Sequence, residues 1–112
     1  MKSIIVFFIL FIQLFATNTP FDLYKKEMNP KQHTLLVIGG IHGDEPGGYF
    51  APAILEKYYK IKSGNLWIIP NINVDSIMAN SRGIYGDMNR KFSSIDESDN
   101  DFISIKKKKD II

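Results

Sequence analysis

Two short apolar runs with a helical stretch between them constrain this chain more than anything else in it. Thr34-Leu-Leu-Val-Ile38 is continuous, has β-branched ends and reads as a strand buried on both faces. Gly39-Gly40 break it. Pro46 suits the first turn of a helix, which puts Glu45 near the N-cap. Residues 49–59 carry apolar side chains at helical spacing, and the stripe Phe50, Ile54 and Tyr58 reads as core packing. Pro52 falls inside that helix and should kink it or delay its start. After Ser63-Gly64 a second run, Leu66-Trp-Ile-Ile69, ends at Pro70. Strand, helix, strand makes a βαβ unit with a right-handed crossover, provided that the strands are parallel neighbours. The fold class is therefore α/β.

In open parallel sheets, ligands collect beyond the carboxyl ends of the strands. Two loops leave that edge here. The first carries His42-Gly43-Asp44-Glu45. An imidazole and a carboxylate held together can ligate a catalytic zinc ion, with one further protein ligand and one position left for water. The plainer alternative is a solvated loop histidine. The second loop opens at Asn71 and leads to both arginines of the chain, Arg82 and Arg90, against twelve lysines elsewhere. A guanidinium fork binds a carboxylate bidentately and can steady an oxyanion, which an ammonium does less well. Asn89 stands beside Arg90. The alternative is two surface charges near a turn. Tyr85, between Gly83 and Gly86, either lines the cleft or packs that turn, and packing is the favoured reading.

Gly40-Ile-His42-Gly-Asp-Glu45, Pro70-Asn-Ile-Asn-Val-Asp75, Ser81-Arg82 and Asp87-Met-Asn89-Arg90 occur in an order that resembles the zinc carboxypeptidases of the carboxypeptidase A fold. The wording His42-Gly-Asp-Glu-Pro-Gly-Gly-Tyr-Phe-Ala-Pro52 is most similar to the branch that trims murein peptides in helical or curved bacteria. The resemblance covers roughly residues 34–92, the first half of such a catalytic domain. It implies the amino-terminal, incomplete part of a mostly parallel sheet flanked by helices. It implies His42 and Glu45 as zinc ligands, Arg82 as the group that polarises the scissile carbonyl, and Asn89 and Arg90 as the grip on the substrate's terminal carboxylate. The implied reaction removes the terminal diaminopimelate of a murein stem tripeptide. Relatives of the same fold that deacylate N-acyl amino acids imply a different reaction, and export argues against it.

The implied third zinc ligand is a later histidine, and the general base a glutamate later still. The chain has two histidines. His33 stands at the other end of the first strand, about 16 Å or more from His42 at ~3.3 Å per extended residue, too far to share a metal. Glu97 lies in the acidic residues 96–101, which read as a solvated loop. Residues 93–112 read as a polar, lysine-rich tail where the domain is cut short, with residues 102–105 starting a strand. These 112 residues are therefore expected to be inactive alone, and a non-catalytic exported product is the second functional reading.

Residues 1–17 combine Lys2 with an apolar run from residue 4 to residue 16, a signal peptide or signal anchor. Such a run spans only about 20 Å as a helix. It places the product in the periplasm, free or anchored in the inner membrane, and is the only expected membrane contact. Residues 18–33 read as a polar lead segment. A net charge of +2 and four lysines beside an acidic stretch give no case for nucleic acid. The absence of cysteine excludes disulfides, lipoprotein attachment and thiolate zinc sites.

Overall fold

The computed structural model describes residues 20–111. The expected signal segment, residues 1–17, lies outside them. Three strands form one sheet: β1 (Tyr24–Glu27), β2 (Thr34–Ile38) and β3 (Asn65–Ile69). Their order is β1-β3-β2, with β2 parallel and β1 antiparallel to β3. Helix α1 (Pro46–Tyr58) makes the crossover from β2 to β3 and packs against β3. The predicted βαβ unit is present, in register from Thr34 opposite Asn65 to Ile38 opposite Ile69.

The lead segment contains a strand that the sequence reading missed. β1 is charged, and its side chains hold it to β3 from outside. Glu27 accepts a hydrogen bond from the Trp67 indole at 2.9 Å, and the Lys25 ammonium lies 4.0 Å from the Trp67 ring centre. Lys26 reaches the carboxyl end of α1 and donates to the carbonyls of Glu56 and Tyr59, which satisfies two acceptors that a helix end leaves open. At the same end of the sheet, the buried Asn65 amide donates to the carbonyls of Asn29 and Gln32 and fastens the β1–β2 turn.

Side chains alternate across the strands. Ile69 joins Phe21, Ile72, Met88 and Ile105 in the buried core, with Leu36 and Ile38 of β2 packed beside them. Two expectations are corrected here. β2 is not buried on both faces: it is an edge strand, and Leu35 is 65% exposed. The stripe of Phe50, Ile54 and Tyr58 is not core either, each residue being at least 49% exposed. α1 buries Pro52 instead and sets Pro52 and Leu55 beside Val37. Helical spacing shows which residues share a face, but the connections to the strands decide which face the sheet receives.

Pro52 neither delays α1, which starts at Pro46, nor goes uncompensated. A proline has no N–H, so the Gly48 carbonyl four residues earlier loses its helical partner. That carbonyl accepts instead from the N–H of Gly40, at 3.0 Å. Gly39 fits between them without a side chain, since a Cβ there would lie 2.5 Å from Pro52 Cγ and closer still to the Gly48 oxygen.

The end of the described chain is also corrected. Residues 102–105 start a helix, α3 (Phe102–Ile111), not a strand. An α2 turn (Val74–Met78) and a 3-10 turn (Met88–Arg90) precede it. Ile105 is fully buried in the core, Ile111 packs against it, and lysines are good helix formers. Nor is the acidic stretch wholly solvated. Asp101 is 5% exposed, and Lys91 donates to Asp99, to Asp101 and to the Tyr85 carbonyl. Among the described residues no helix is long and apolar enough to cross a membrane.

Candidate functional site

Beyond the carboxyl ends of β2 and β3, backbone bonds bind the two loops together. Gly39 and Gly40 accept from the N–H groups of Ile72 and Asn73, at 3.0 and 3.1 Å. Gly40 takes φ of 69° with Pro70 and Asn71 against its Cα, a conformation and a closeness that favour glycine. His42 and Glu45 follow, with the Glu45 N–H on the His42 carbonyl at 3.4 Å and the Glu45 carbonyl accepting from Gly48 in the first turn of α1.

Four side chains meet there. His42 Nε2 lies 2.9 Å from Asp87 Oδ1, and Nδ1 lies 3.5 Å from Glu45 Oε1. Arg82 closes the ring, with one guanidinium nitrogen 3.2 Å from Glu45 Oε1 and the other 3.4 Å from Asp87 Oδ2. The His42 side chain is 11% exposed, whereas Glu45 and Arg82 are more than half exposed. The hydrogen bond from His42 holds the Asp87 carboxyl below the usual carboxylate range; desolvation opposes it, and the Asn89 N–H and the Arg82 charge add to it.

An ionised Asp87 can only accept, so the hydrogen of a neutral His42 ring sits on Nε2. Nδ1 is then a bare lone pair facing a carboxylate oxygen. Two ligands of a tetrahedral zinc at ~2.0–2.1 Å stand about 3.4 Å apart, close to the 3.5 Å found. A ring nitrogen turned to a carboxylate is also how metal-binding histidines are commonly oriented. The pair therefore fits two positions of a metal site. Among the described residues no group of three histidines, cysteines or acids has the geometry to hold a metal. His33 precedes β2 at the far end of the sheet, where its carbonyl accepts from Asn65.

His42, Glu45 and Asn89 line one cleft of about 190 Å³, floored by Gly39 and Gly40. Asn89 is held there by its N–H on Asp87 Oδ1, at 3.0 Å. Arg90 ends the same 3-10 turn and is exposed, and its side chain makes no ion pair among the described residues. Glu97 is exposed in the stretch leading to α3. Sequence reasoning gave Asp87 no role. The signal that could have found it is the carboxylate a metal-binding histidine wants for its second nitrogen.

The sequence profile of a family described as the catalytic region of carboxypeptidases controlling helical cell shape matches residues 2–112. Among solved structures, the product-bound cell shape determinant protein Csd4 from Helicobacter pylori is 34% identical, with a TM-score of 0.73 over 81% of this chain and 23% of that one. The mDAP-bound form of Helicobacter pylori Csd4, described as a D,L-carboxypeptidase, is 36% identical, with a TM-score of 0.71 over 79% of this chain and 22% of that one. An aspartoacylase family protein from Mesorhizobium loti, 24% identical with a TM-score of 0.64, shares the fold over 78% of this chain and 30% of that one. No curated protein matches the chain. The chain thus spans under a quarter of the Csd4 chains.

Proposed function

Because the chain belongs to the family of carboxypeptidases that control helical cell shape, we propose that it supplies part of a zinc-dependent exopeptidase acting on murein stem peptides. The observation that carries this reading is the Nδ1–Oε1 spacing of 3.5 Å between His42 and Glu45, with Nε2 of the ring taken by Asp87. Zinc bound there would polarise the scissile carbonyl and bring the pKa of a bound water toward ~7. In this reading His42 and Glu45 hold the metal, together with a third ligand that the described residues do not contain. Arg82 brings fixed positive charge to the mouth of the cleft, where a carbonyl oxygen would become an oxyanion. Asn89 in the cleft and Arg90 one residue on would grip a terminal carboxylate, which makes the cut an exopeptidase cut. The general base is not assigned to Glu97, which lies in the stretch leading to α3.

The Helicobacter pylori relative is described with product, with tripeptide and with mDAP bound. Carried to this chain, the reading is release of the terminal diaminopimelate from a murein tripeptide. The site of action is the periplasm, with the apolar run at residues 4–16 as the export signal. A reporter enzyme that works only outside the cytoplasm, fused after residue 20, should be active; an inactive but stable fusion would remove that placement.

Zinc content and diaminopimelate release are to be measured on the full protein beside His42→Ala and Glu45→Gln. The expected result is zinc-dependent release that both substitutions abolish. A second reading is a non-catalytic product that binds carboxylate ligands, for which Asn89 in the cleft and the exposed Arg90 would serve equally well. A full protein that binds the tripeptide, holds no zinc and releases nothing would decide for it.

A further inference from the structure

Between the two loops stands Asn73, 3% exposed, and three residues on stands Ser76, 1% exposed. Buried amides and hydroxyls are costly unless bonded, and both residues are bonded toward the site. The Asn73 N–H donates to the Gly40 carbonyl at 3.1 Å, and its side-chain amide donates to the Ile41 carbonyl at 3.0 Å. Those two bonds hold the chain immediately before His42. The Asn73 side-chain oxygen accepts from the Ser76 N–H at 3.4 Å and so caps α2. Ser76 carries the connection on. Its carbonyl accepts from the Ser81 N–H at 2.9 Å, and its hydroxyl accepts from the Ile84 N–H at 3.1 Å. Ser81 and Ile84 flank Arg82. Gly43, the residue after His42, also rests on the Ser76 carbonyl, which any Cβ there would overlap.

Capping of α2 explains two of these bonds, the Asn73 cap on the Ser76 N–H and the Ser81 N–H on the Ser76 carbonyl, which closes the helix end with Asn80 at φ of 48°. It does not explain the bonds to Ile41 and Ile84. We propose that Asn73, acting through Ser76, is the positioning residue that fixes the His42–Glu45 pair against Arg82. It touches no reacting group. The inference rests on the reading of these three residues as the hydrolytic site.

Amide hydrogen exchange on the full protein tests it, with Asn73→Ala and Asn73→Asp beside the wild type. In Asn73→Ala, exchange at Ser81 and Ile84, whose bonds Asn73 does not itself make, should quicken at least about tenfold. Ile68 and Ile69 in β3 should stay protected. Asn73→Asp keeps the acceptor that caps α2 but turns an oxygen on the Ile41 carbonyl. It should leave Ser81 and Ile84 slow and quicken Gly40 and Glu45. Faster exchange confined to Ser76 would make Asn73 a local cap and overturn the proposal. If Asn73→Ala does not fold, unchanged exchange at Gly40 and Glu45 in Asn73→Asp overturns it.

Tripeptide hydrolysis by the same proteins separates the two claims. Asn73→Asp should lower kcat about 10–100-fold with KM within about threefold, because misplacement hurts the reacting geometry and spares Asn89 and Arg90. An unchanged kcat would overturn the positioning role. A wild type that shows the exchange coupling but no hydrolysis would sink the functional reading and leave the positioning role standing.

Discussion

Asp87 governs how the site responds to acid. A carboxylate whose pKa is depressed on folding stabilises the folded chain above its unfolded value, ~3.9. That contribution is lost as pH falls through the lower folded value. The His42–Asp87 contact, followed by NMR of the ring, should therefore persist at about pH 5 and disappear only below the ordinary carboxylate range. Asp87→Asn leaves an oxygen for Nε2 but removes its charge, and should weaken zinc binding by the full protein about 10–100-fold, as read by competition with a chelating dye. Lys91 is the other residue with consequences beyond its size. Burial lowers its pKa, but hydrogen bonds to Asp101 and Asp99 outweigh that and hold it above the usual lysine range. This contribution is complete below ~10.4 and disappears as pH rises through the higher folded value. Lys91→Met strands two carboxylates, one of them 5% exposed, and should cost about 3 kcal/mol in urea unfolding. His42, Glu45 and Arg82 were legible in the sequence by chemical type and order. Asp87 and Asn73 were not, because their roles lie in bonds to residues more than thirty positions away.

At the scale of elements, glycines separate what is packed from what is merely turned. Gly39 and Gly47 lie in the same loop-and-helix unit. An alanine at Gly39 collides with the Gly48 carbonyl and with the Pro52 ring, neither of which moves easily. It should destabilise by at least about 1–3 kcal/mol. Nothing stands within 4 Å of a Cβ at Gly47, in the first turn of α1. Alanine there should stabilise by about 0.4–1 kcal/mol. Thermal unfolding of the two variants checks the contrast, and equal effects would mean that α1 does not press on the β2 loop. The βαβ unit was readable because its runs, breakers and helix start all agree locally. β1 escaped because three of its four residues are charged and only pairing with β3 makes it a strand. α3 escaped because two isoleucines at alternate positions resemble a strand until the core claims one of them.

Taken whole, the described chain leaves an apolar surface of Leu35, Phe50, Ile54, Tyr58 and Tyr59 facing solvent. Replacing Phe50 and Ile54 together with serine should raise the solubility of the chain, measured by light scattering, while changing stability by no more than about 0.5 kcal/mol per site. A large loss of stability would mean that these side chains are buried after all. The same chain also shows what it would take to move its chemistry elsewhere. A histidine and a glutamate three residues apart could be grafted onto any strand-to-helix turn by copying a short loop. The graft would fail in a regular helix, because the carbonyl that anchors the Gly40 amide would already be engaged. The transferable module is longer than its reactive residues: within the loop and helix alone it runs to a proline ten residues downstream of the histidine.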